Sequence, residues 1–358
     1  MKVVTVVGAR PQFVKAGVVS AAFDEVGGVQ ERLIHTGQHF DDNMSDIFFR
    51  QLGLRAPSLN LGIAGGTHAE MTGQMMVALE RTFLDEAPDL VLVYGDTNST
   101  LAAALAAVKI HLPIAHVEAG LRSCNMKMPE EVNRILTDRV SRWLFAPTKA
   151  ACRNLSREGF DSSAIFEVGD VMFDVAKLFS EKAGVSTLLS ELGLYGRTYA
   201  LATVHRAENT DELSRLKLIV KSLSEFSLKI PILWPLHPRT RRVLKDTGIG
   251  GSISSSIIFC EPLGYLDMVA AEKNASLIIT DSGGVQKEAF FHRVPCVTLR
   301  DETEWVELVE AGWNRLVPVQ SVDAMLSTFN SALGSLGVAE SLYGDGDAAK
   351  KIVRRLVA

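Results

Sequence analysis

The sequence predicts an α/β protein built from two doubly wound parallel sheets, and three observations support this fold class. Short, continuously apolar segments alternate along the chain with longer segments of helical periodicity, which is typical of parallel strands covered by helices on both faces. The alternation loosens around residues 169–196 and then starts again. A length of 358 residues is long for one hydrophobic core and suggests two domains.

The first domain is predicted over residues 1–169. Six of its segments have the apolar, β-branched composition of buried strands: 3–7, 32–35, 90–93, 114–117, 143–146 and 165–168. Helical periodicity is clearest over 72–84, 97–108 and 130–142.

The second domain is predicted over residues 170–344. Its strand candidates are 199–203, 232–234, 257–259, 277–280, 296–299 and 315–317. A basic amphipathic helix follows over 347–357 and could cover either domain. If the two domains face each other, the carboxyl ends of both sheets border one cleft, where such folds bind ligands.

Composition excludes several classes of function. A net charge of −5 argues against a nucleic-acid partner, and no apolar run reaches the roughly 20 residues that span a bilayer. The N-terminal apolar run lacks a cleavage site and is read as the first strand, so we expect no signal peptide. The four scattered cysteines (Cys124, Cys152, Cys260 and Cys296) are typical of reduced thiols in a cytoplasmic protein.

Charged residues follow the strands of the first domain. The segment GARPQFVK lacks a dinucleotide fingerprint but places Arg10 and Lys15 at a helix start, where they can face a phosphate. Asp96 follows another strand, and since residues 97–99 can cap the next helix, Asp96 is available for chemistry.

The stretch from His116 to Arg134 concentrates charge past a third strand. It contains Glu118, Arg122, Glu130, Glu131 and Arg134. A solvated loop followed by an ordinary helix start explains these residues as well as a site does, because proline and acidic residues are common in a first helical turn. The spacing alone leaves both interpretations open.

The second domain carries histidines and glycines at its strand ends. His205 and His237 follow successive strands, and two such histidines are harder to explain structurally than one. In LIITDSGGVQKEA, Ser282, Gly283 and Gly284 precede a helix and can expose backbone N–H groups to a phosphate. A tight turn with a serine cap would explain only one glycine.

These residue types together predict an enzyme acting on a nucleotide-linked substrate. The cations suit a diphosphate, and neighbouring carboxylates raise one another's pKa, which suits acid/base chemistry. We find no metal-ligand cluster, P-loop or nucleophile elbow, and therefore expect neither a metal nor another cofactor.

The motifs GARPQFVK, HTGQHF, YGDTNST, HVEAGLRS…PEEVNR, DSGGVQKEA and DETE…AGWNRLV closely resemble the non-hydrolysing UDP-N-acetylglucosamine 2-epimerase family. The resemblance implies a GT-B-type fold, a homodimer, and a UDP-sugar bound between the domains. It also implies that a C-terminal helix at about residues 345–358 packs back on the first domain. The implied reaction eliminates UDP across C1–C2 to give a glycal and then adds it back with inversion at C2.

The resemblance assigns roles residue by residue. The implied catalytic residues are Asp96, Glu118, Glu130 and His205. The implied substrate-binding residues are Arg10, Lys15, Arg122, Arg134, His237, Ser282, Gly283, Gly284, Glu288 and Arg315. Arg122 and Arg134 are also interpreted as groups that hold the neighbouring carboxylates ionised and oriented.

Three local forms depart from the common family pattern. HFDDNM and GGTHAEMTG lack the usual partners of a second, activating UDP-N-acetylglucosamine, and Met268 replaces an aromatic residue expected against uracil. GARPQF, HFDDNMSDIFF and DETEWVE look more like a subgroup acting on UDP-2,3-diacetamido-2,3-dideoxyglucuronate. The rival functions are a hydrolysing epimerase, a GT-B glycosyltransferase and a non-catalytic UDP-sugar sensor.

Overall fold

The computed structural model describes residues 1–38, 56–249 and 253–358, without the side chains of residues 10, 181, 182 and 185. The chain forms two compact units, which we call unit 1 (Met1–Val175 and Ser341–Ala358) and unit 2 (Ala176–Glu340). Each unit contains one parallel sheet with helices, so the predicted α/β fold class is confirmed.

Unit 1 contains a seven-stranded parallel sheet in the order β3-β2-β1-β4-β5-β6-β7. Its strands are β1 Lys2–Val7, β2 Gln30–His35, β3 Leu59–Asn60, β4 Leu90–Tyr94, β5 Ile114–Val117, β6 Trp143–Ala146 and β7 Ile165–Glu167. The sequence did not predict β3, because this edge strand has two exposed residues and no apolar run.

Between and after these strands lie six helices among the described residues up to Lys182: α1 Arg10–Val26, α2 His68–Glu86, α3 Asn98–Lys109, α4 Pro129–Val140, α5 Lys149–Arg157 and α6 Val171–Lys182. A 3₁₀ turn lies at Ser162–Ala164. Helix α2 starts earlier than its apolar pattern predicts, because a capping box fixes its first turn. Thr67 accepts the N–H of Glu70 at 3.3 Å, and the Glu70 carboxylate accepts the N–H of Thr67 at 2.8 Å.

The strands of unit 1 are apolar throughout because both faces of the sheet are buried. Val3 and Val7 pack with α1 on one face, whereas Val4 and Val6 pack with α2 and α3 on the other. The packing leaves the carboxyl ends of the strands as the place where polar residues can collect.

Unit 2 contains a six-stranded parallel sheet in the order β10-β9-β8-β11-β12-β13. Its strands are β8 Ala200–Thr203, β9 Ile232–Pro235, β10 Ile257–Cys260, β11 Leu277–Thr280, β12 Cys296–Thr298 and β13 Asn314–Leu316. Its helices are α7 Leu188–Glu191, α8 Ala207–Thr210, α9 Leu213–Phe226, α10 Pro238–Asp246, α11 Tyr265–Lys273, α12 Gly283–Phe291, α13 Val306–Glu310 and α14 Val322–Ala332, with a 3₁₀ turn at Ala183–Val185.

The final helix, α15 (Ala348–Val357), completes the core of unit 1. Its buried residues Ile352 and Val353 join the cluster that α1 forms on the sheet. Asp174 of α6 accepts the first two N–H groups of α15, from Ala348 at 3.1 Å and from Ala349 at 2.7 Å. Across the described residues, no helix is both long enough and apolar enough to cross a membrane.

Candidate functional site

The predicted site residues collect where the strand order reverses in each sheet. The reversal lies between β1 and β4 in unit 1 and between β8 and β11 in unit 2. Doubly wound folds bind ligands outside the carboxyl ends of the strands at such points. Each unit therefore presents its own group of candidate residues at this point of its sheet.

In unit 1, Asp96 and Glu118 come together around Gly95, which directly follows β4. Gly95 has a φ of 61°, and Glu118, which directly follows β5, has a φ of 76°. The Glu118 Oε2 atom lies 3.3 Å from the position that a Cβ on Gly95 would occupy. A left-handed, non-glycine residue costs of order 1–3 kcal/mol, so the surrounding structure must enforce this conformation of Glu118.

Each of these two carboxylates is paired with a cation. Lys15 of α1 binds Glu118, and Arg134 of α4 binds Asp96. The two cations are almost buried, with side chains 9% and 11% exposed. Burial raises the pKa of Asp96 above its ordinary value; the charge of Glu118 adds to this rise, while that of Arg134 opposes it.

Sequence reasoning missed Gln12, which joins the turns that follow β1 and β4. Its Oε1 accepts the N–H groups of Gly8 at 2.8 Å and Ala9 at 3.1 Å. Its Nε2 donates to the Tyr94 carbonyl at 2.6 Å and to the Thr100 hydroxyl at 2.9 Å. A glutamine at the third helical position is a known capping signal, but nothing local indicates its partners on the other turn.

Glu131 is more than the helix-start residue that the sequence suggested. It is buried and accepts the N–H groups of Ser123 and Cys124, both at 2.9 Å, and it binds Arg134 at 2.7 Å. Glu131 therefore fixes both the loop before α4 and the cation that pairs with Asp96. Its neighbour Glu130, a predicted catalytic residue, lies exposed on the first turn of α4.

Arg122, a predicted cation of unit 1, is bound by carboxylates other than Asp96 and Glu118. The Arg122 guanidinium binds Asp138 at 2.8 Å and Glu158 at 2.6 Å, with only 6% of its side chain exposed. The side chain of Arg10 lies outside the described part of the chain. The HFDDNM segment, which begins at His39, also lies outside the described residues. Gln38, the residue before it, accepts the Ser99 hydroxyl at 2.7 Å.

In unit 2, Asp281 fixes the loop that carries His205. Its buried carboxylate accepts the N–H groups of His205 at 3.0 Å and Arg206 at 3.0 Å, and the side-chain amide of Asn209 at 3.1 Å. The sequence placed Asp281 in the DSGG motif without a role, because these partners lie more than 70 positions away along the chain.

His205 and His237 lie side by side, as their positions after successive strands suggested. Their ring centroids are 5.3 Å apart. The Nδ1 atom of His237 accepts the N–H of Arg239 at 3.2 Å, which assigns the proton of the neutral ring to Nε2. Burial, together with the charges of His205 and Arg239, lowers the pKa of His237. A neutral His237 can thus offer an Nε2–H donor.

The start of α12 carries Ser282, Gly283 and Gly284, as predicted. A Cβ on Gly283 would meet Glu304 Oε1 at 2.5 Å, so this carboxylate lies directly over the first glycine. Glu304 binds Arg300 at 2.9 Å, and although burial would raise its pKa, the charge of Arg300 lowers it overall. Neither Glu304 nor Arg300 is among the site residues that the sequence predicts.

Three further residues of unit 2 that the sequence singled out each have their own environment. Glu288 is half-buried on α12, and burial together with the charge of Glu288 raises the pKa of Glu272 well above its usual range. Arg315 lies within β13 and donates to the Ser335 hydroxyl at 2.8 Å. Met268 is partly buried against the core of unit 2.

The two units offer different chemistry. Unit 1 presents two ion-paired carboxylates suited to proton transfer. Unit 2 presents glycines at a helix start, imidazoles and arginines, all suited to an anion. Within residues 1–38, 56–249 and 253–358, no group of three His, Cys, Asp or Glu side chains could hold a metal ion.

Comparison with known proteins connects the geometry with a family. The family model described as UDP-N-acetylglucosamine 2-epimerase matches residues 21–357. The chain is 52% identical over 361 residues to UDP-2,3-diacetamido-2,3-dideoxy-D-glucuronate 2-epimerase of Pseudomonas aeruginosa, covering 99% of both chains.

Two solved structures are similar over nearly their whole length. The UDP-GlcNAc 2-epimerase of Methanocaldococcus jannaschii, in complex with UDP-GlcNAc and UDP, has a TM-score of 0.88 and 41% identity, with 100% of this chain and 99% of that chain covered. The enzyme of Neisseria meningitidis bound to UDP-GlcNAc has a TM-score of 0.89 and 30% identity, with 100% of both chains covered. These similarities confirm the predicted GT-B type of the fold.

Proposed function

This chain belongs to the UDP-N-acetylglucosamine 2-epimerase family and is an isomerase, and on that premise we propose that it interconverts UDP-N-acetylglucosamine and UDP-N-acetylmannosamine. The observation that carries the proposal is the meeting of Asp96 and Glu118 at Gly95, each with its own cation. Two carboxylates in one place can remove a proton and return one.

In the proposed reaction a carboxylate of unit 1 takes the proton from C2. The C2–H electron pair forms the C1–C2 double bond, and the C1–O bond breaks with its electron pair going to UDP. The diphosphate oxygen then attacks C1 again, and a second acid returns a proton to C2 from the opposite face. No net oxidation occurs, so the reaction requires no redox cofactor.

The ion pairs of unit 1 support this chemistry. Lys15 and Arg134 compensate the charges of Glu118 and Asp96, which are partly shielded from water, where an unpaired carboxylate would be costly. Burial raises the pKa of Asp96, which is the direction expected for a carboxylate that takes up and returns a proton. We assign Glu130 to the same set by family resemblance, as an exposed acid on α4.

We propose that unit 2 holds the UDP leaving group. The N-terminus of α12 with Ser282, Gly283 and Gly284 suits a phosphate, and His205 and His237 add donors beside it. In this proposal the Glu304 carboxylate over Gly283 yields its place to the diphosphate. Glu288 and Arg315 complete the proposed nucleotide contacts, and Arg10 and Arg122 remain assigned by family resemblance.

A second substrate is favoured by one comparison. The relative that is 52% identical acts, by its name, on UDP-2,3-diacetamido-2,3-dideoxy-D-glucuronate. The relative named UDP-N-acetylglucosamine 2-epimerase from M. jannaschii is 42% identical. The diacetamido uronate is therefore the alternative substrate of the same reaction.

Proton NMR in D₂O tests the reaction and the substrate together. The purified protein is incubated separately with each of the two UDP-sugars, and we expect deuterium at C2 and an epimer mixture from the true substrate. Absence of label at C2 with both sugars would refute the elimination mechanism. Accumulation of free UDP would indicate a hydrolysing epimerase, and binding without turnover would indicate a sensor.

We further propose a cytoplasmic homodimer. The four cysteines form no disulfide, which suits a reducing compartment. Val77 and Leu84 are 55% and 62% exposed and lie seven residues apart on α2, on one face that a second copy could cover. Light scattering that gives the mass of a single chain would refute the dimer.

A further inference from the structure

His116 in β5 is completely buried, two residues before Glu118. Its ring contacts an oxygen on each side. The Nδ1 atom lies 2.6 Å from Asp138 Oδ1, and the Nε2 atom lies 2.7 Å from the carbonyl oxygen of Gly95. The ring therefore connects α4 with the turn that carries Asp96.

Both ring nitrogens face groups that accept hydrogen bonds. A carbonyl oxygen has no proton to give, so Nε2 must be the donor to Gly95. Asp138 is held as a carboxylate, since its other oxygen accepts the N–H of Gly120 at 3.1 Å and binds Arg122 at 2.8 Å. Burial alone would raise the pKa of Asp138, but the charges of His116 and Arg122 lower it overall.

We propose that His116 is a positioning residue of the epimerase reaction, a doubly protonated ring that holds the Gly95 carbonyl and thereby orients Asp96. The inference rests on the proposed function, in which Asp96 and Glu118 exchange the C2 proton.

The geometry explains why one hydrogen bond to Gly95 matters. The peptide between Gly95 and Asp96 leaves the sheet with a left-handed turn, and the Glu118 carboxylate lies against the same glycine. The Asn133 amide holds the next carbonyl, that of Asp96, at 2.9 Å. With His116 and Asn133 bound to consecutive carbonyls, both peptide planes around Asp96 are fixed.

Two substitutions separate the two hydrogen bonds of the ring. The amide of His116→Gln reaches the position of Nε2 and retains the bond to Gly95, whereas that of His116→Asn reaches Nδ1 and retains the bond to Asp138. We expect His116→Asn to lower kcat about 10²-fold with KM within about threefold, because misplacing a reacting group has an effect of that order. His116→Gln should keep kcat within about tenfold of the wild type.

His292→Gln is the matched control, since His292 is another nearly buried histidine, in unit 2 and outside the proposed machinery. We expect its kcat and KM to be unchanged. Equal losses of kcat in His116→Asn and His116→Gln, or a kcat of His116→Asn within threefold of the wild type, would overturn the positioning role.

Two-bond ¹H–¹⁵N NMR of the wild-type protein tests the protonation directly and requires no folded variant. Because both ring nitrogens of His116 face acceptors, we expect one of the eight histidine rings to carry protons on both nitrogens. If every ring shows an unprotonated nitrogen, the proposal is wrong. This measurement is independent of turnover, so absence of C2 exchange in the wild type would refute the proposed function and leave the protonation result standing.

Discussion

The two units hold their candidate site residues in different surroundings. In unit 1 the charged groups are neutralised within the protein, and the Lys15 and Arg134 side chains are only 9% and 11% exposed. In unit 2 the corresponding groups are more open, with His205 38% and Arg206 33% exposed. Groups that move a proton need fixed positions and compensated charge, whereas groups that bind an anion must leave room for it.

The largest effect should come from removing a carboxylate of unit 1. We expect Asp96→Asn or Glu118→Gln to lower kcat by about 10²–10⁴-fold, the usual contribution of a general acid or base. UDP affinity should change little, because neither carboxylate is among the proposed UDP contacts. C2 deuterium exchange measures the first quantity and calorimetric titration with UDP the second.

Glu86→Gln is the control for these variants. Glu86 is also paired with two cations, Lys2 at 2.8 Å and Arg32 at 3.0 Å, but it lies near the amino end of β1, away from the site. We expect normal turnover. Turnover at the wild-type level in Asp96→Asn or Glu118→Gln would remove that residue from the mechanism.

An intermediate effect is expected at Asp174, a unit 1 carboxylate that accepts the backbone N–H groups of α15, whereas Asp96 binds the Arg134 guanidinium. Burial, with smaller contributions from Asp170 and Asp347, raises the pKa of Asp174 to about 6, despite its bonds to Ala348 and Ala349. A raised carboxyl pKa means that the folded state binds the proton more tightly. The resulting stabilisation is complete below the unfolded pKa of about 4 and is lost as pH rises through 6.

Asp174→Asn should abolish this pH dependence. The quantity to follow is the melting temperature of the wild type minus that of Asp174→Asn. We expect this difference to fall by on the order of 5 °C between pH 4.5 and pH 7.5. Thermal unfolding of both proteins at several pH values measures it. A constant difference between the two proteins would show that Asp174 does not titrate in this range.

The smallest effect is a difference in stability between alanine variants of the two glycines at the start of α12. Gly283→Ala places a Cβ 2.5 Å from Glu304 Oε1 and must displace that side chain, whereas the nearest atom to a Cβ on Gly284 is Ser282 Oγ at 3.9 Å. Alanine also favours a helix by up to about 1 kcal/mol. Without ligand, we expect Gly284→Ala to be at least as stable as the wild type, and Gly283→Ala to be less stable than Gly284→Ala because the Glu304 side chain must move. Denaturant titration that ranks them in the reverse order would contradict the packing of Glu304 on Gly283.

The sequence predicts which charged residues follow the buried strands, because local composition determines where such strands end. Asp96, Glu118, His205 and His237 all follow apolar runs, and in a parallel sheet such positions share one edge. The partners of these residues could not be predicted in the same way. Lys15 and Glu118 are 103 positions apart, and nothing in either segment indicates the pairing.

Residues that support the site were missed for the same reason. Gln12 and Glu131 resemble ordinary helix-start residues, and their importance becomes clear only from partners on other elements. His116 reads as one more residue of a buried strand, because the oxygens that bind its ring come from a turn 21 positions before it and a helix 22 positions after it. At the start of α4, the family resemblance selected Glu130 and not Glu131 as a catalytic residue. In the structure Glu130 is exposed and Glu131 is buried.

The place of α15 has a consequence for synthesis of the chain. Unit 1 begins at the first residue but takes its last core residues, including Ile352 and Val353, from the end of the chain. All of unit 2 is therefore translated before unit 1 can close its core. During that interval the nascent unit 1 exposes apolar residues of α1 and β1 that α15 later helps to bury, and such transiently exposed apolar surface is prone to aggregation.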